Sequence, residues 1–317
     1  MLQFLYNIII PIGVFTFAMA IATGLIWYER RLLGFFQDRL GPNRVGPAGV
    51  LQVLADMIKI FTKEDWVPPF ADKAIFIIAP VILVAAVLMS FIVVPLTSSV
   101  AVTDLTIGLL IFLAFSSLSV YSIVLAGWSS RSKYSVLGGL RAAAQMISYE
   151  VFMGLSLMGV VIQAGSFNLN RIVEAQRGLW FIVPQFVGFV VFVIAASAEM
   201  RRTPFDLVEA DSELVGGFHT EYSGMKFGMF YVGEYVALTL ISALIALLFF
   251  GGWLGPGLPA FLWMLIKTLL LITFFILVRA TFPRFRYDQL MRFGWKILLP
   301  LTLVNLLVTG AVVVARG

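Results

Sequence analysis

The sequence has no cysteine and a single histidine, His219. Without thiolates the chain can hold no iron–sulfur cluster, thiolate metal site or disulfide. With one imidazole it cannot supply both axial ligands of a membrane b-type haem, nor a histidine-rich metal cage. Any electron-transfer cofactor it works with must belong to a partner chain or be a diffusible molecule. Charge is also scarce: Asp, Glu, Lys and Arg make up 12% of the residues, against about 25% in soluble domains. Apolar residues reach 61% and mean hydropathy is +0.99, which excludes a soluble globule, a disordered chain and a nucleic-acid-binding domain. The net charge of +5 rests on 22 basic side chains, as basic inner loops of a polytopic membrane protein would produce.

The N-terminus carries the small-residue pattern Ala18-Met19-Ala20 of a signal-peptide cleavage site. However, no Lys or Arg precedes it, and the uncharged run continues from Met1 to Tyr28. A run of that length spans a bilayer and reads as a retained helix. Further uncharged runs cover 74–103, 105–130, 151–170, 178–198 and 297–315. Two more, 228–250 with Glu234 and 261–280 with Lys267, carry one charge each near the start. The pattern predicts an all-α polytopic membrane protein with eight transmembrane helices in one membrane domain, 1–317, plus short amphipathic helices in the inner loops. Membrane-spanning strands would be about 10 residues long and alternating, a pattern not seen here.

Segments 29–73, 131–150, 199–234 and 279–296 hold 18 of the 22 basic residues. The positive-inside rule makes them the inner loops and puts both termini outside. The outer loops are short and charge-poor, so function is expected on the inner side. No internal repeat is visible, which counts against inverted-repeat transporter folds.

In the first inner loop, Leu51, Leu54, Ile58 and Phe61 recur at helical spacing opposite Gln52, Asp56, Lys59 and Lys63. The segment Pro47 to Lys63 is therefore expected to be an amphipathic helix at the membrane surface. Its apolar face suits either packing between spans or a gate through which an amphiphile leaves the bilayer, and the pattern fits both. The turn-forming run Gly41-Pro42-Asn43-Arg44-Val45-Gly46-Pro47 precedes it.

Residues 199–234 hold seven acids against three bases on a side that is otherwise basic. Thr203-Pro204-Phe205-Asp206 fits a capped helix start running toward Gly216-Gly217, with Asp206, Glu209 and Glu213 on one face. Capping leaves Glu213, Glu199 and Glu234 unexplained, as well as Glu150 beside Tyr149. Carboxylates at membrane depth suggest a proton path, since they are costly and close neighbours share protons. Salt bridges to Arg141, Arg201 and Arg202 are the competing reading. Lys267, inside a span, should be functional or ion-paired. The last inner loop, with Arg279, Arg284 and Phe285, suits lipid headgroups or an acidic partner.

Several segments occur in order: Tyr28-Glu29-Arg30-Arg31, the Gly41–Pro47 run, Lys63-Glu64-Asp65, Gly165-Ser166-Phe167-Asn168, Thr203-Pro204-Phe205-Asp206-Leu207, Glu221-Tyr222-Ser223-Gly224 and Pro283-Arg284-Phe285-Arg286-Tyr287-Asp288-Gln289-Leu290. Together they resemble the family of H subunits of bacterial NADH:quinone oxidoreductase (respiratory complex I), the counterparts of mitochondrial subunit 1. The resemblance implies a non-redox subunit at the heel of the membrane arm, in the bacterial inner membrane with periplasmic termini. It implies a quinone chamber shared with two soluble subunits, with quinone as substrate and with FMN and iron–sulfur clusters in the partner subunits. Other membrane-arm subunits and lipids are the remaining partners it implies. Residue by residue it assigns Glu29, Arg30, Arg39, Asp56 and Phe227 to quinone binding. It assigns Tyr149, Glu150, Glu199, Glu209, Asp211, Glu213 and Glu234 to the proton path, and Arg141, Lys267, Arg279 and Arg284 to ion pairs or interfaces. The chain departs from the family pattern at Met200-Arg201, at Val208 and at Asp211, where a glutamate is expected. A related subunit of energy-converting hydrogenases and a free-standing ion-coupled transporter are the alternatives.

Overall fold

The computed structural model describes residues 2–98, 100–208 and 215–316. Every regular element among them is helical, as chains in hydrocarbon must satisfy their backbone groups within each segment. The elements are α1 (Leu2–Phe36), α2 (Gln52–Thr62), α3 (Lys73–Ser90), α4 (Gly108–Ser129), α5 (Lys133–Ala164), α6 (Leu169–Ala175), α7 (Phe186–Glu199), α8 (Gly224–Phe249), α9 (Ala260–Thr281), α10 (Tyr287–Phe293) and α11 (Leu299–Arg316). A π-turn over Gly294–Leu298 joins the last two into one rod.

Among the described residues, seven helices are long and apolar enough to cross a membrane. The expected span 178–198 is the exception. Its helical part, α7, has 14 residues, or about 21 Å at 1.5 Å per residue, against a hydrocarbon core of about 30 Å. The stretch before it, around Pro184, is a series of turns. Phe181 O accepts from Gln185 N at 2.9 Å, so the chain continues toward the same end without regular helix.

Two further differences from the sequence-based expectation have physical causes. Segment 131–150 is not a loop, since α5 runs unbroken from Lys133 to Ala164. Its charges at Lys133 and Arg141 interrupt the hydropathy but not the helix. No helix starts at Thr203 either. The carbonyls of Pro204 and Phe205 accept from other elements, while Phe205 N turns back to Arg202 O at 2.8 Å. Gln145 Nε2 donates to Phe205 O at 3.0 Å, and Phe285 N donates to Pro204 O at 3.4 Å.

Helix α8 is the axis of the bundle. In its most apolar stretch 83% of residues are buried inside the protein, against 17% for the terminal rod. It packs on α1, α3 and α9, while α4, α5, α7 and α11 form a chain of neighbours beside it. The amphipathic helix forms as α2, with Val53 buried and Leu54, Ile58 and Phe61 exposed. It lies against the start of α8, where Gly228 leaves room for Ile60. The turn before it needs glycine at position 49: its φ is +75°, and a Cβ there would stand 2.2 Å from Pro42 O. Trp27 Nε1 and Arg31 Nη1 of α1 both donate to Ala48 O, at 3.1 and 3.0 Å, and fix that turn to the helix end.

Candidate functional site

The C-terminal parts of α1 and α9, the N-terminal part of α8 and the segment after α7 converge on one buried guanidinium. Arg202 Nη1 is 3.0 Å from Glu29 Oε2, and its Nε is 2.7 Å from Glu234 Oε1. The Arg202 and Glu29 side chains are 3% and 2% exposed. Arg279 also bonds Glu29. Beneath Arg202 lies the Tyr235 ring, 4.7 Å from the guanidinium carbon. A buried charge is tolerated only when it is paired, and here two carboxylates hold one buried arginine between them. One residue in the network, Glu29, was expected at the quinone site and one, Glu234, on the proton path. The geometry joins the two groups.

An aromatic ladder leads to this network along α8. Phe227, Tyr231 and Tyr235 recur at i, i+4 and i+8, with ring centroids 6.2 and 5.2 Å apart. Phe227 is 37% exposed at the top, and Tyr235 touches Arg202 at the bottom. Sequence reasoning named Phe227 and missed the two tyrosines; their helical spacing beside Glu234 was the available signal. Arg30 Nη1 and Asp56 Oδ2 pair at 2.5 Å between α1 and α2. Arg39, beyond the end of α1, donates through its Nε to Gln37 Oε1 at 2.8 Å.

A second polar cluster sits between α4, α5 and α7. Ser116 Oγ donates to Glu199 Oε1 at 2.9 Å, and the adjacent Ser117 donates to Glu150, so neighbouring hydroxyls hold carboxylates from two different helices. Glu199 is 8% exposed. A cavity of about 40 Å³ has both Glu199 and Glu234 on its wall, with Ser116, Met200 and Arg201. At roughly 10–15 Å³ per water it has room for about three or four. Tyr149 is buried but points elsewhere, its hydroxyl donating to Leu290 O at 3.0 Å. Glu209, Asp211 and Glu213 lie outside the described residues.

Arg284 pairs with Asp206 at 2.9 Å. Burial pushes the Asp206 carboxyl above its ordinary range although Arg284 pulls it down. Arg141 lies against the Tyr287 ring, 5.6 Å from its centre. Lys267 has backbone partners: its ammonium donates to the carbonyls of Phe250, Gly252 and Leu254 at 2.7, 2.8 and 2.7 Å.

Two of the motifs read from the sequence meet in space. Lys226 pairs with Asp65 at 2.6 Å, Ser223 Oγ donates to Glu64 O at 3.4 Å, and Tyr222 stacks on Phe76 with ring centroids 3.9 Å apart. Burial pushes the Tyr222 phenol up to about 12. The Lys63-Glu64-Asp65 and Glu221–Gly224 segments thus dock the start of α8 beside α2.

A family model described as NADH dehydrogenase matches residues 8–310. Over 304 residues the chain is 62% identical to the H subunit of NADH-quinone oxidoreductase from Methylococcus capsulatus (Bath), an alignment covering 96% of each protein. The match includes the helices that carry Glu29, Glu150, Glu199, Glu234 and Arg279, and the chain belongs to the NADH dehydrogenase family.

Proposed function

We propose that this chain is the H subunit of a proton-pumping NADH:quinone oxidoreductase in a bacterial inner membrane. In that role it forms the membrane side of the quinone chamber and passes the effect of quinone reduction to a chain of carboxylates. The observation that carries the reading is the Glu29–Arg202–Glu234 network. It joins Glu29 of α1 and Glu234 of α8 on the same buried guanidinium, which supports a link between quinone chamber and carboxylates.

Quinone enters beside α2, past Arg30, Asp56 and the aromatic edge at Phe227. A negative charge arising on or near the quinone competes with Glu29 and Glu234 for Arg202 and Arg279. A carboxylate that loses part of its pairing gains affinity for a proton. Glu234 then exchanges protons with Glu199 across the cavity they share, and Glu199 with Glu150 through Ser116 and Ser117. Glu209, Asp211 and Glu213 belong to the same path by their place in the acidic stretch. NADH oxidation, FMN and the iron–sulfur clusters belong to partner subunits. In the membrane, α7 with the turns before it completes the eighth crossing, and both termini lie on the periplasmic side.

The test is purification in mild detergent through a tag on this chain, with assays of flavin, iron and NADH:quinone turnover. A large complex holding all three is the expected result. Within it, Glu234→Gln should lower quinone-linked turnover while leaving NADH:ferricyanide activity intact. A lone chain, or an iron-containing complex that evolves hydrogen without oxidising NADH, would refute the reading.

A further inference from the structure

A groove of about 630 Å³ lies between α7, α9 and α10, and none of its lining residues belongs to α1 or α2. Its walls are Val193 and Ile194 of α7, Phe274 and Val278 of α9, Phe205 and Phe293. Its size falls within the roughly 300–1,000 Å³ of ligand sites. Its chemistry is nearly pure hydrocarbon. Among the described residues no charged side chain lines it, and its few polar groups include Ser197 and Gln289. The Ser197 hydroxyl donates to Val193 O at 2.7 Å, and Gln289 Oε1 accepts from Arg286 N at 3.3 Å. A quinone head or other polar group would find few partners there and would lose its hydrogen bonds to water.

The groove is also short. Its α9 stripe is Phe274 and Val278, one turn or about 6 Å of helix, with Phe282 just past the helix end, whereas a neighbouring transmembrane helix needs a track of about 30 Å. A flexible chain suits it better than a rigid rod.

The rim supplies the second half of the recognition. Asp288 is shared by Arg286 at 3.2 Å and Arg292 at 3.7 Å, so one carboxylate faces two guanidinium groups, which are 77% and 65% exposed. Lys296 is exposed on the same rod and has no ion-pair partner among the described residues. Elsewhere on the rim, Arg279 is used by Glu29 and Arg284 by Asp206. The surplus is therefore about two positive charges beside an apolar slot.

We infer that this groove binds an anionic phospholipid, with one acyl chain between α7 and α9 and its phosphate on the Arg286–Arg292–Lys296 edge.

The assembled complex, reconstituted in vesicles, would be irradiated with phosphatidylglycerol carrying a diazirine on one acyl chain, and separately with the same diazirine on phosphatidylcholine. Peptide mapping should place the phosphatidylglycerol label on 274–293, exceeding the phosphatidylcholine label by about fivefold or more, the attraction one basic side chain supplies near a surface. The double variant Arg286→Gln with Lys296→Gln should bring the two labels level, and Val278→Trp should remove both. Equal labelling of the unmodified complex by the two lipids would overturn the proposal, as would cross-links from 274–293 to a partner subunit in place of lipid. Stronger labelling of these peptides by a diazirine-tailed quinone would assign the groove to quinone instead. Each of these comparisons can be read on the unmodified complex, so a variant that fails to assemble does not block the test.

Discussion

The Lys267 ammonium lies 4.7 Å from the centre of the Trp180 ring while all three of its N–H groups are spent on carbonyls of the 250–254 turn. Trp263 closes a further side at 5.5 Å. This lysine needs no acid, because three oriented peptide dipoles and two ring faces do the work of a counter-ion. Lys267→Met should leave three carbonyls unpaired and cost roughly 3 kcal/mol or more. The expected readout is loss of assembled complex, or a markedly lower melting temperature of the detergent-solubilised complex. An unchanged melting profile would show that the cage is dispensable.

The Arg202 network makes an asymmetric prediction. Arg202→Met strands Glu234 and leaves the buried Glu29 with Arg279 alone, and should cost about 3–5 kcal/mol, visible as poor assembly. Pairing it with Glu234→Gln removes the stranded charge and should restore part of the yield. If the double variant assembles no better than the single one, Glu234 is not electrostatically coupled to Arg202.

Glu199→Gln keeps the shape of the side chain and its contact with Ser116 but removes the exchangeable charge. Quinone-linked turnover is expected to fall at least about tenfold, the rate equivalent of 1.4 kcal/mol, with ferricyanide reduction at the flavin site unchanged. Equal loss of both activities would point to misassembly and not to proton transfer.

Arg30 and Asp56 are a half-exposed pair, so breaking it should hardly touch stability, on the order of 1 kcal/mol or less. Asp56→Leu is instead expected to raise the apparent quinone KM, and to raise it more for long-tailed than for short-tailed quinones. Identical kinetics for the two would remove α2 from the entry route.

Most of the bundle was legible because hydrocarbon forces long uncharged runs, and the ends of α4, α8 and α9 follow those runs closely. Where the reading failed, charge and helix parted company. Lys133 and Arg141 sit on the uninterrupted α5, and the apolar 178–185 stretch around Pro184 is not regular helix. The acidic residues were visible as types, but their partners were not. Nothing in sequence order brings Glu29 to Arg202 across 173 positions. The carbonyls that hold Lys267 carry no residue-type signal at all.

Helix α5 has 32 residues without a proline, about 48 Å of continuous rod, where α1 and α3 each contain one proline, Pro11 and Pro80. Glu150 lies near its middle, and its far end is closed by Gly165 in a left-handed turn. A strut of that kind has no joint at which to absorb a twist. Arg141, two turns into α5, meets Tyr287 of α10, so a displacement of α10 reaches Glu150 along unbroken helix.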